Sequence, residues 1–129
     1  MTSTAPRNRL GAHGEQLACA HLERAGYELV ERNCRCGRIG EIDVVARRGA
    51  CLVFCEVKTR RAPSLAGPVG PLDAIGPAKR RRLRRLAAEW LRTRELAGPR
   101  PAAIRFDAIG ILVDRRGTLV ALDHVEDAF

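Results

Sequence analysis

A chain of 129 residues is long enough for one domain with a real core, since folding at this size removes roughly two-thirds of the unfolded chain's surface from water. Lys and Arg number 23 against 15 Asp and Glu, a net charge of +8, which points to a polyanionic partner, nucleic acid being the commonest. No apolar run approaches the roughly 18 residues a membrane helix needs, and Met1 to Arg9 lacks the apolar stretch of a signal peptide, so the expected location is cytoplasmic.

Residues 1–9 read as a flexible tail and 10–129 as a single domain. Leu10 to Ala25 is helical in pattern, with Gly11, Gly14, Ala18, Leu22 and Ala25 on one face at spacings of three and four. Small residues there let the helix lie close to a sheet, and Gly26 ends it. Glu15 stands beside Ala18 and Leu22 on that face. Tyr27–Cys34, Glu41–Ala46 and Cys51–Lys58 are predicted strands, the last two joined by a short hairpin at "RRGA". "RRAPSLAGPVGPLD", Arg60 to Asp73, has no periodicity and reads as a long loop.

Gly76-Pro77 opens a second helix, with Pro at the favoured first position. Lys79, Leu83, Leu86, Ala87, Trp90 and Leu91 make its apolar stripe. "AGPRP" stops it. Ile104–Val113 is a strand apolar enough for a central position, and Leu119–Leu122 a short last one. The order αβββαββ makes an α/β domain with a mixed sheet flanked by helices. The five cysteines are odd in number, lack the usual zinc spacing and read as small, mostly buried hydrophobes, with a zinc site as the alternative.

Within "GEIDVVARRGACLVFCEVKT", Gly40 to Thr59, two core-like strands carry acids that a structural strand does not need. Glu56 and Lys58, two apart, share a strand face. A loop of two residues, Gly49 and Ala50, sets Asp43 opposite Glu56, with Cβ atoms about 4.5–5.5 Å apart. A four-residue loop pairs Asp43 with Phe54 and leaves Glu56 diagonal. Either register gathers two carboxylates and an ammonium. Such carboxylates repel unless a cation intervenes, and Mg²⁺ favours one or two carboxylates with waters and phosphate oxygens. Glu15 is placed to complete the site. The alternative is a structural ion pair of Lys58 with Glu56 or Asp43. Against it, the chain writes 21 cations as Arg and only Lys58 and Lys79 as Lys, a compact charge with a tunable pKa.

"KRRRLRR", Lys79 to Arg85, packs six cations into seven residues. Arg80, Arg81, Arg84 and Arg85 fall away from the apolar stripe, and with Lys79 they form a phosphate-binding face whose self-repulsion a nucleic-acid backbone relieves. With three Phe, one Trp and one Tyr, base stacking is a poor fit, and backbone recognition of a duplex a better one.

These stretches, with "GAHGEQLACAHLERAGY", "RNCRCGRIGEIDVVA", "LVFCEVKTR" and "RFDAIGIL", resemble the PD-(D/E)xK nuclease superfamily and, within it, the YraN-like family of predicted endonucleases related to archaeal Holliday junction resolvases. Ile42 stands where the superfamily's label has proline. The resemblance implies a restriction-endonuclease-like fold, with Asp43, Glu56 and the Val57 carbonyl as ligands of Mg²⁺ or Mn²⁺, Lys58 as catalytic lysine and Glu15 as the helix-borne glutamate. It implies cleavage of duplex or branched DNA, with Arg60 and its loop near DNA or a second subunit, and a homodimer if assembly follows the resolvases. The alternatives are a module of a repair or recombination complex that binds DNA without cutting, and a nuclease acting on RNA.

Overall fold

The computed structural model describes residues 6–62, 76–94, 98 and 100–129, with side chains from residue 9. Seven elements follow the predicted order: α1 (Pro6–Arg24), β1 (Glu28–Cys36), β2 (Gly40–Arg48), β3 (Cys51–Arg61), α2 (Pro77–Thr93), β4 (Ala103–Val113) and β5 (Leu119–Val125). The strands form one sheet in the order β1-β2-β3-β4-β5, antiparallel except for the parallel β3–β4 pair. That parallel pair requires a long crossover, and α2 lies within it. The architecture is a mixed α/β sheet flanked by helices, compatible with a restriction-endonuclease-like fold.

Each helix covers one face. Under α1, Ala18, Leu22, Val44, Ala46, Val53, Cys55, Ile109 and Ile111 form one core. Under α2, Ile42, Val45, Leu52, Phe54, Leu83, Leu86 and Trp90 form another. Trp90 anchors the second: its ring meets Phe54 edge-on at 5.5 Å, and its Nε1–H donates to Glu31 Oε1 at 2.9 Å. The cysteines are free, four of them buried, as read.

The helical face of small residues works as predicted at one point above all. A Cβ on Gly14 would stand 1.8 Å from Thr59 Oγ1, so only glycine lets α1 approach β3 so closely. Gly11, by contrast, meets nothing within 4 Å.

Several boundaries differ from the sequence reading. The helix begins at Pro6 and not at Leu10, so part of the expected tail is helical. Strand β3 runs on to Arg61, where a loop was expected from Arg60, because β4 pairs with it residue by residue as far as Arg61↔Val113. Arg60 is therefore a strand residue. The rest of the expected loop, 63–73, lies outside the described residues. Strand β5 continues past Leu122 to Val125.

Candidate active site

Strands β2 and β3 are joined by the two-residue loop, Gly49-Ala50, with Gly49 at φ 59°. Their ladder runs from Arg48↔Cys51 to Val44↔Cys55 and ends there. Beyond it, β2 follows β1 through Ile42↔Cys34 to Gly40↔Cys36, while β3 stays with β4. The sheet forks, and Asp43 and Glu56 are the first residues inside the fork.

The fork explains a break in the side-chain alternation. Ile42 and Val45 both pack with the core under α2, although three apart. Asp43 lies at the break. Its Oδ2 accepts the Val57 backbone N–H at 2.8 Å, standing in for the missing ladder bond. A strand residue's N–H and C=O leave on the same edge, so the Val57 carbonyl also faces the fork. Glu56 follows the alternation of Leu52 and Phe54 toward α2, where Lys79 Nζ meets its Oε1 at 2.7 Å.

Asp43 and Glu56 line one cavity of about 400 Å³ with Glu41, Lys79, Arg82 and Arg38. Burial, and then repulsion by Glu56, push the Asp43 carboxyl up to about 7, against the lowering effect of the Val57 N–H. Glu15, on α1, does not line the cavity: burial pushes its carboxyl up, Arg32 and a hydrogen bond from Asn33 pull it down, and it feels both Glu41 and Glu56. Three acids from α1, β2 and β3 thus act on one another electrostatically. Among the described residues, no group of three or more acidic, imidazole or thiol side chains is close enough to cage a metal. A pair of carboxylates with a carbonyl suits an ion that keeps waters and takes phosphate oxygens, not a closed zinc site.

The two lysines sit differently from the sequence reading. Lys58 is exposed, lies outside the lining of the cavity and makes no ion pair among the described residues. Lys79, read as part of the phosphate-gripping face, instead pairs with Glu56, because α2 starts against the open fork. Arg80, Arg81, Arg84 and Arg85 are exposed as predicted, with Arg84 also over the Phe106 ring at 5.6 Å. Sequence reasoning missed Arg82 and Arg38, which line the cavity; the signal for Arg82 was its place one turn after Lys79.

No helix among the described residues is long and apolar enough to cross a membrane. A UPF0102 protein of Streptomyces griseus is 54% identical over 114 residues, covering 88% of this chain and 91% of that one. One from Streptomyces coelicolor is 47% identical over 88% of this chain and 84% of its own length. One from Kineococcus radiotolerans is 46% identical over 97% of both chains. The family described as Uncharacterised protein family UPF0102 matches residues 14–111, so the chain belongs to the UPF0102 family.

Proposed function

We propose that the protein is a metal-dependent endonuclease of nucleic acid, acting on duplex or branched DNA. The observation that carries this reading is the meeting of Asp43 and Glu56 in one basic-rimmed cavity, with Asp43 pushed up to about 7 by burial and by its neighbour. Desolvated anionic charge of that kind favours a cation's entry.

Asp43, Glu56 and the Val57 carbonyl are the groups to hold Mg²⁺ or Mn²⁺. When bound, such an ion polarises a phosphodiester and acidifies water beside it. The chain's own residues do the rest. The Val57 N–H fixes the orientation of the Asp43 carboxylate. Lys79 offsets the charge of Glu56 and is near enough to turn to a phosphate oxygen. Lys58, one residue past Val57, is the amine assigned to assist the attacking water. Glu15 adds negative potential from above. Arg80, Arg81, Arg84 and Arg85 hold phosphates outside the cavity.

A second reading, a module that binds branched DNA without cutting it, draws support from Lys58 facing solvent. One assay separates them. Labelled linear, forked and four-way DNA, and an RNA duplex, are incubated with protein in Mg²⁺, Mn²⁺ or EDTA, beside Asp43→Ala and Lys58→Ala. The nuclease reading predicts metal-dependent cutting that both variants lose. Tight, salt-sensitive binding with no cutting in either metal supports the module.

A further inference from the structure

The chain's second basic surface is invisible in the sequence because three distant segments build it. Arg9 and His13 from α1, Arg61 from the end of β3, and Arg115 and Arg116 from the β4–β5 turn surround a cavity of about 440 Å³. Its frame is cross-linked. Arg61 Nη1 donates to the carbonyls of Asp114 at 3.2 Å and Arg115 at 3.0 Å. His13 Nε2–H donates to the Gly117 carbonyl at 2.6 Å. The acid of the neighbourhood, Asp114, is engaged within the turn, where its Oδ1 accepts the N–H groups of Arg116 at 2.8 Å and Thr118 at 2.9 Å. Arg9, Arg115 and Arg116 are exposed and pair with no acid among the described residues. Four guanidiniums gathered around one hollow repel each other, and a polyanion relieves that repulsion.

The position of the basin says which polyanion. The β1–β2 turn, the end of β3, the β4–β5 turn and the first turns of α1 all lie at one end of the sheet, the end at which the fork opens. From the fork to the β4–β5 turn is two strand spacings, about 10 Å, and from Glu56 to Arg61 is about 17 Å along β3. A backbone crossing this end meets the carboxylates and, on the order of 10–20 Å away, the second basin. At about 3.4 Å rise per base pair, that is about three to six pairs.

We propose that Arg9, His13, Arg61, Arg115 and Arg116 form a second phosphate clamp, which holds the sugar–phosphate backbone of the same nucleic acid about three to six base pairs from Asp43 and Glu56. This rests on the nucleic-acid part of the proposed function, not on cleavage. The clamp lies on the far side of the fork from α2, so together they track the backbone on both sides of the cavity.

The test is fluorescence anisotropy of the full chain with a labelled duplex of about 20 base pairs across a salt series. Arg115→Ala/Arg116→Ala is compared with Arg115→Lys/Arg116→Lys, and circular dichroism checks that each variant folds. The alanine pair is expected to weaken binding about tenfold at moderate salt, equally for unrelated sequences, and to reduce the slope of log affinity against log salt by about two. The lysine pair is expected to keep most of both. Unchanged affinity and slope in the alanine pair would overturn the clamp alone. Failure of the wild type to bind any duplex overturns the clamp and the nucleic-acid reading together. Binding without cutting, with the slope reduced as expected, sustains the clamp and removes only the cleavage reading.

Discussion

Asp43 carries the largest electrostatic cost in the site, and its consequence is measurable. Its folded carboxyl titrates at about 7 against an ordinary 3.8. Between those values the folded state binds the extra proton, so this group's contribution to stability is full below about 4 and is lost as pH rises toward 7. Asp43→Asn should therefore stabilise the metal-free protein at pH 7, on the order of 1–3 kcal/mol, and gain little at pH 4. Urea unfolding at the two pH values checks it, and a variant weaker than wild type at pH 7 contradicts it. Lys79 gives a second prediction. Its ammonium competes with an incoming cation for Glu56. Lys79→Met should tighten Mn²⁺ binding about fivefold, an ion-pair coupling of about 1 kcal/mol, while Lys58→Met leaves it unchanged; calorimetric titration reads both. Parity along β3 was enough to put Glu56 and Lys58 on one face. It was not enough to say that the fork would turn Lys58 to solvent and bring the start of α2 onto Glu56.

Among the elements, α1 on β3 is the contact most sensitive to a single methyl group. Thr59 Oγ1 is buried there without a hydrogen-bond partner among the described residues, directly under Gly14. Gly14→Ala should destabilise by about 1–3 kcal/mol through overpacking. Thr59→Ala, which removes the hydroxyl that the new methyl would strike, should recover part of that loss in the double variant, whereas additive losses would place the strain elsewhere. The spacing of Gly14, Ala18 and Leu22 made this packing legible, because one residue type at one period states it. The full length of β3 was not legible: Thr59 to Arg61 are strand only because β4, more than forty residues later, pairs with them. The basic character of α2 was legible as charge, but which cations face the cavity depends on how the helix is laid across the fork.

Across the whole molecule, charged groups gather in separate places. The second basin lies at the end where β3 and β4 finish, and a polar network around Asp107 sits on the α1 side, level with Cys55 to Val57 of β3. Asp107, fully buried, accepts from Arg105 twice at 2.8 Å, from the Asp127 N–H at 3.0 Å, and is 2.7 Å from His124 Nε2. Burial pushes its carboxyl up, but His124 and Arg105 outweigh that and hold it below the usual range. His124 Nδ1 faces His21 Nε2 at 2.9 Å, and burial, then His124, hold His21 below 6.5. A depressed histidine means that the unfolded chain binds more protons, so His21's contribution is present above 6.5 and is lost as pH falls through and below that value. His21→Ala should flatten the stability profile just below pH 6.5, and Asp107→Asn should cost about 3–5 kcal/mol by removing the buried charge that Arg105 and His124 meet, leaving Arg105 only the more exposed Glu126 as an acidic partner among the described residues; thermal melts across pH check both. The most direct test of the central claim is the cation itself. Mn²⁺ titrated into the metal-free protein and followed by electron paramagnetic resonance should show one strong site in the wild type, lost in both Asp43→Asn and Glu56→Gln. Equal Mn²⁺ binding in all three proteins would contradict the account.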